Sequence, residues 1–177
     1  MSGRNGSHPT PDLVLRPPAL GDEAACLAAQ AELTDYPFLL LWKPDLPWAD
    51  YVARLDGLRD GTAIFEGFVP STFLLAETGG EIVGRLSVRF ELNDFLAAEG
   101  GHIGYAVLPR FRRRGYATEI LRRAIALARG HGVERALVCC DDDNAASATV
   151  IERCGGVLES VAPIADSDTP LRRYWIG

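Results

Sequence analysis

The segment GYAVLPRFRRRGYATEILRRAI, residues 104 to 125, leaves a chain few folds to choose from. An apolar strand-like run stops at Pro109, a turn carrying Arg110, Arg112, Arg113 and Arg114 follows, and Gly115 opens a helix that runs to Arg129. Ala117, Ile120, Leu121, Ala124, Ile125 and Ala128 recur at helical spacing on one side, with Arg122, Arg123 and Arg129 on the other, so this helix needs an apolar surface to lie on. Because it begins straight after a turn, its first N–H groups have no partner. Residues 112 to 118 therefore predict consecutive amides aimed at one point and reinforced by the helix dipole, which is an anion cradle. Gly115 lets an oxyanion approach the backbone with no side chain between, and Arg112, Arg113 and Arg114 supply charge for phosphates outside the cradle. Taken alone, the three arginines equally suit a solvated turn ahead of an amphipathic helix.

The flanking sequence supplies the sheet. Asp12 to Arg16 predicts a short strand stopped by Pro17 and Pro18, Gly21 to Leu33 an Ala-rich helix, and Tyr36 to Pro47 a proline-punctuated aromatic loop. A second helix is expected from Trp48 to Leu58, with Trp48, Val52, Leu55 and Leu58 on one stripe. Thr72 to Glu77 and Ile82 to Glu91 alternate around Gly79-Gly80 and predict an antiparallel hairpin. After a polar excursion from Asn93 to Gly101, His102 to Leu108 makes a third strand of this run and Ala136 to Cys140 a buried one. Asn144 caps a helix to about Cys154, Gly155-Gly156 breaks it, and Val157 to Val161 and Leu171 to Ile176 close the sheet. The expected architecture is one α/β domain over residues 12 to 177, with a mixed, mostly antiparallel sheet of six to seven strands flanked by helices. Residues 1 to 11, with one Arg and no apolar core, read as a disordered leader and not as a secretory signal.

A length of 177 residues, 47% of them hydrophobic and 24% charged, fits one core. The longest apolar runs, Ala24 to Ala29 and Phe38 to Trp42, are far short of the roughly 18 residues a membrane span needs. A net charge of −6 argues against a general nucleic-acid binder, so no nucleic-acid and no membrane partner is expected. Cys26, Cys139, Cys140 and Cys154 form no CxxC pair and no zinc spacing, which points to reduced thiols, no metal and a cytoplasmic address.

At Arg112-Arg113-Arg114-Gly115-Tyr116-Ala117 the chain resembles the GCN5-related N-acetyltransferase (GNAT) superfamily, whose signature is Arg or Gln, two residues, Gly, one residue, then Gly or Ala. DDDNAASATVIERCGG, residues 141 to 156, is similar to the family's later element, in which an Asn after the fifth strand contacts the coenzyme. Asn144 and Ser147 fit those positions, and they equally suit a helix N-cap and its first turn. The stretches VPSTFLLAE, IVGRLSVR and GGHIGYAV occur in the order seen in a group of predicted bacterial acetyltransferases. The resemblance implies a sheet splayed between the fourth and fifth strands, with acetyl-coenzyme A as cosubstrate in the splay. It implies pyrophosphate contacts from Arg112, Arg113, Arg114, Gly115, Tyr116, Ala117 and Thr118, and pantetheine contacts from the backbone of Ala106, Val107 and Leu108. The implied reaction moves an acetyl group to a primary amine, small-molecule or peptide, by direct attack in a ternary complex, and dimerisation is left open. A non-catalytic acyl-coenzyme A sensor is the alternative.

Departures from the family concern proton transfer. Ile151 stands where many members have a Tyr that protonates the departing thiolate. If that position faces the sulfur, Ile151→Tyr should keep coenzyme binding and leave turnover equal or higher. Cys154, ahead of a Gly-Gly stop, suits a small core residue. His102 heads the coenzyme strand and has an ordinary pKa near 6.5 that suits a general base, while a structural role fits it as well. Glu91, Asn93, Asp94 and Glu99 could meet a cationic substrate or be a solvated surface.

Overall fold

The computed structural model describes residues 12–164 and 167–177, so the leader expected over residues 1–11 lies outside the described residues. The elements follow the order β1 (Val14–Arg16), α1 (Glu23–Glu32), α2 (Trp48–Asp60), β2 (Ser71–Thr78), β3 (Glu81–Arg89), β4 (Ile103–Val107), α3 (Tyr116–Gly130), β5 (Ala136–Asp141), α4 (Ala145–Arg153), β6 (Val157–Ile164) and β7 (Ser167–Ile176). Seven strands make one sheet in the order β1-β2-β3-β4-β5-β7-β6, in which only β4 and β5 run parallel. The β2-β3 hairpin closes at Gly79 and Gly80, whose φ values of 55° and 81° are the left-handed pair a tight hairpin turn needs.

Strand β3 is buried continuously from Ile82 to Val88, because helices cover both its faces. A methyl group on Gly84 would lie 3.3 Å from Ile120 Cδ1, so Gly84, Leu86 and Val88 face α3. Arg85, Ser87 and Arg89 consequently face the side covered by α1 and α2. Cross-strand pairing carries the same division onto β4: Tyr105 and Val107 lie opposite Leu86 and Gly84, and Gly104 and Ala106 opposite Ser87 and Arg85.

The helix α3 buries its expected stripe from Ile120 to Ala128 together with one residue that periodicity does not offer, Glu119. Its carboxylate accepts from Arg122 at 2.6 Å and Arg123 at 2.7 Å, which satisfies the buried charge. The polar excursion holds a π-helical turn, Leu96–Gly100, seated by Asn93, whose Oδ1 accepts from Leu96 N–H at 2.9 Å. Strand β6 runs on through Pro163 to Ile164, tolerated because β6 is the edge of the sheet.

The splay expected between the fourth and fifth strands is present. β4 pairs with β3 over five positions and β5 with β7 over six, whereas β4 and β5 meet only at Ile103 and Val138. His102 closes that end: its N–H donates to the Leu137 carbonyl at 2.7 Å, and its Nδ1 accepts from Leu137 N–H at 2.9 Å. Beyond Ile103 the two strands diverge toward Val107 and Asp141.

Candidate active site

The direction of the β4 backbone follows from its partner. Arg89 N–H donates to the His102 carbonyl at 2.8 Å and Leu108 N–H to the Val83 carbonyl at 2.9 Å. By alternation Gly104 and Ala106 also point their polar groups at β3, and Tyr105 and Val107 point theirs into the splay. Of the expected backbone contacts Ala106, Val107 and Leu108, therefore, Val107 alone offers polar backbone groups to the splay. Its carbonyl accepts from Arg112 Nε at 3.2 Å.

The turn after β4 has the geometry of an anion nest. Arg113 and Gly115 have φ values of 63° and 85°, and helical bonding starts at Glu119 N–H, which donates to the Gly115 carbonyl at 3.2 Å. Among the described residues, the amides of Arg113, Arg114, Gly115, Tyr116, Ala117 and Thr118 donate to no protein acceptor. Alternation of left- and right-handed backbone turns such N–H groups to one concavity, and the α3 dipole adds positive potential there. The arginines divide their work. Arg112 pairs with Asp35 at 3.0 Å, and Arg110 pairs with Glu32 while lying over Phe111. Arg113 and Arg114 are exposed and have no carboxylate partner among the described residues.

Opposite this turn, Asn144 Oδ1 accepts from Ser147 N–H at 3.0 Å and so caps α4, while Ser147 Oγ lies 3.0 Å from the Tyr105 hydroxyl. Tyr105 thus reaches from β4 to the first turn of α4 and walls the splay on the α3 side. Burial raises its phenol well above the ordinary range, so it stays protonated. The loop between α1 and α2 crosses the mouth: Asp35 holds Arg112 beyond β4, and the Tyr36 hydroxyl donates to the Asp141 carboxylate at the end of β5. Burial and that carboxylate push Tyr36 up to about 12. Sequence reasoning assigned no site role to Asp35, Tyr36 or the Tyr105 phenol, since the first two act through contacts more than 70 residues away. The place of Tyr105 in the motif strand was the one available signal.

The surroundings of His102, Ile151 and Cys154 bear on the roles weighed for them. His102 is buried, with its pKa lowered by burial and by Arg89. Since Nδ1 accepts from Leu137, the neutral ring carries its proton on Nε2, and no lone pair is left to take another. Ile151 is fully buried, and a methyl group on Gly156 would lie 2.5 Å from its Cγ2, so the expectation that position 151 accepts a phenol is corrected: it is a packed core position. Cys154 is half-buried with Sγ 3.7 Å from the Thr118 carbonyl, and burial raises its thiol pKa. Of the acidic loop, Glu91 and Asp94 are exposed while Asn93 is spent on the π-helical turn.

A splayed strand pair with an amide nest at the start of the following helix defines the class of coenzyme A-dependent acyltransferases. The family described as acetyltransferase (GNAT) domain matches residues 12–157, and the chain belongs to it. No curated protein sequence matches. Among solved structures, the ribosomal L7/L12 alpha-N-protein acetyltransferase RimL in complex with coenzyme A is 19% identical, with a TM-score of 0.68 over 93% of this chain and 93% of that one. The microcin C7 self immunity acetyltransferase MccE in complex with acetyl-CoA and AMP is 21% identical, with a TM-score of 0.65 over 93% and 91%. A GNAT acetyltransferase from Streptococcus pneumoniae is 18% identical, with a TM-score of 0.63 over 93% and 100%. Among the described residues no helix is long and apolar enough to cross a membrane.

Proposed function

We propose that this chain moves an acetyl group from acetyl-CoA to a primary amine by direct attack in a ternary complex. The observation that carries the reading is the run of six unpartnered amides, Arg113 to Thr118, at the mouth of a splay whose inner strand offers the Val107 backbone. The pyrophosphate sits on those amides with Arg113 and Arg114 beside it. Arg112 leaves the Val107 carbonyl, and a pantetheine N–H takes its place. From Val107 to Gly104 the strand spans roughly 10 Å, which brings the thioester toward the closed end of the splay.

The amine nitrogen attacks the thioester carbonyl carbon; the C–N bond forms, the C–S bond breaks, and its electron pair leaves with sulfur. Tyr105, held by Ser147 and kept protonated, donates a hydrogen bond to that thiolate. His102 holds β4 to β5 in this reading, so the ammonium gives its proton to water and the rate follows the ionisation of the amine itself. Burial keeps Cys139, Cys140 and Cys154 as thiols, which favours direct attack over a covalent acetyl-enzyme. Four unpaired cysteines support a cytoplasmic setting.

Gly115→Glu places a side chain and a negative charge in the nest. Losing even one charge-assisted N–H contact, worth about 1.5–3 kcal/mol, weakens acetyl-CoA at least about tenfold by calorimetry. Unchanged affinity would remove the nest from the account. An acyl-CoA sensor would bind equally well and release no thiol when amines are added.

A further inference from the structure

On the face of the sheet away from α3, two arginines stand together with no carboxylate partner among the described residues. Arg85 is 7% exposed; one Nη donates to the Pro37 carbonyl at 3.1 Å and its Nε has no partner. Arg89, half-buried, makes one long contact, 3.4 Å to the Gly100 carbonyl. Both converge on Gly104: a methyl group there would lie 3.2 Å from Ser87 Oγ, 3.3 Å from Arg89 Nη1 and 3.8 Å from Arg85 Nη1. Burial and the neighbouring Arg89 bring Arg85 down to about 10, so it remains charged at neutral pH, and burial lowers Arg89 as well. Two like charges held side by side in a buried setting are costly unless an anion joins them.

Next to this pair lies a cavity of about 230 Å³, floored by Ser87 and Arg89 and walled by Leu55, Phe73 and Leu96, with the exposed rings of Phe68 and Phe95 at its rim. A dry cavity of about 150 Å³ accepts a benzene ring, so this one holds an aromatic or branched side chain with its linking carbon. Gly104 lies on β4 where the splay closes, and Tyr105 walls the opposite face. An acceptor must therefore come from the arginine side.

We infer that the acceptor is a free α-amino acid with a large apolar side chain: Arg85, Arg89 and Ser87 take its carboxylate over Gly104, the cavity takes its side chain, and the amine two bonds from the carboxylate faces the splay. This rests on the acetyl-transfer reading and narrows its substrate. A protein N-terminus, whose first carboxyl is an amide, lacks the anion this site is built for. The loop after β3 gives the cavity Leu96 and Phe95 and none of its carboxylates.

The test measures thiol release from acetyl-CoA with L-phenylalanine, L-phenylalaninamide and phenethylamine, by wild-type protein and by Arg89→Gln and Arg89→Lys. A charged hydrogen bond is worth about 1.5–3 kcal/mol, so kcat/KM, referred to the free-base amine, should favour phenylalanine over both analogues, which lack the carboxylate, by about 10- to 150-fold. Arg89→Gln should remove that preference through KM and leave acetyl-CoA affinity unchanged, and Arg89→Lys should retain part of it. Equal or better use of phenethylamine or the amide overturns the inference and leaves acetyl transfer standing. If no amine releases thiol, acetyl transfer fails, and calorimetry with N-acetyl-L-phenylalanine still decides the anion site: binding lost in Arg89→Gln upholds it, and no binding to wild type overturns it.

Discussion

Replacing Ile151 by tyrosine puts a phenol where the structure has no room. The isoleucine is fully buried, inside the same core as Ile120, Leu121 and Ala148, and its Cγ2 touches the space above Gly156 that any added carbon would need. Overpacking of this kind costs about 1–3 kcal/mol. For a chain of this size each kcal/mol lowers Tm by about 2–4 °C, so Ile151→Tyr should melt roughly 2 to 12 °C below wild type. Thermal denaturation followed by circular dichroism reads the shift, with coenzyme A affinity of the folded variant measured beside it. Affinity should fall little, because Ile151 packs into the core and offers no group to the nest from Arg113 to Thr118. An unchanged Tm together with faster turnover would refute the packing argument and place position 151 at the thiolate.

Other perturbations separate the remaining roles. Tyr105→Phe removes the contact with Ser147 and should cost about 1 kcal/mol of stability, while kcat falls by about 10²-fold with KM for acetyl-CoA little changed; an unchanged kcat would take the phenol out of the reaction. His102→Ala orphans the buried Leu137 N–H and should destabilise by about 1–3 kcal/mol, yet leave the shape of the kcat/KM profile against pH as it was. Because the folded pKa of His102 is depressed, its contribution to stability is full above the unfolded value of about 6.5 and is lost as pH falls toward the folded one, and denaturant midpoints between pH 7 and 5 in wild type and His102→Ala check that sign. Asp35→Asn frees Arg112 from an exposed pair worth at most about 1 kcal/mol, so coenzyme A should bind up to about fivefold tighter in calorimetry; weaker binding would mean that Asp35 aims Arg112 at the ligand.

What the sequence made legible was whatever local rules determine. The stripe of α3, the glycine that opens its nest and the Asn144 cap depend on residues within a few positions of one another, and all are where periodicity and capping put them. Directions fixed by a distant partner were not legible. Whether Val107 or Ala106 turns its backbone into the splay depends on the pairing of β4 with β3, which no feature of GYAVLP encodes. Glu119 broke the expectation for a charged residue because two arginines one turn later satisfy it in the core. Arg85 and Arg89 sat unnoticed in IVGRLSVR, since alternation in a strand places them on one face without saying that the face is covered. Strand β7 begins at Ser167 and not at Leu171, because its pairing with β6 runs on to Ile164.

The central claim is that acetyl-CoA lies in the β4-β5 splay with its pyrophosphate on the amides of Arg113 to Thr118. A crystal structure with coenzyme A bound tests it directly. The account predicts pyrophosphate oxygens within about 3 Å of several of those N–H groups, and a pantetheine amide on the Val107 carbonyl in place of Arg112 Nε. A coenzyme whose pyrophosphate lies elsewhere on the surface, with Arg112 still bonded to Val107, would contradict it.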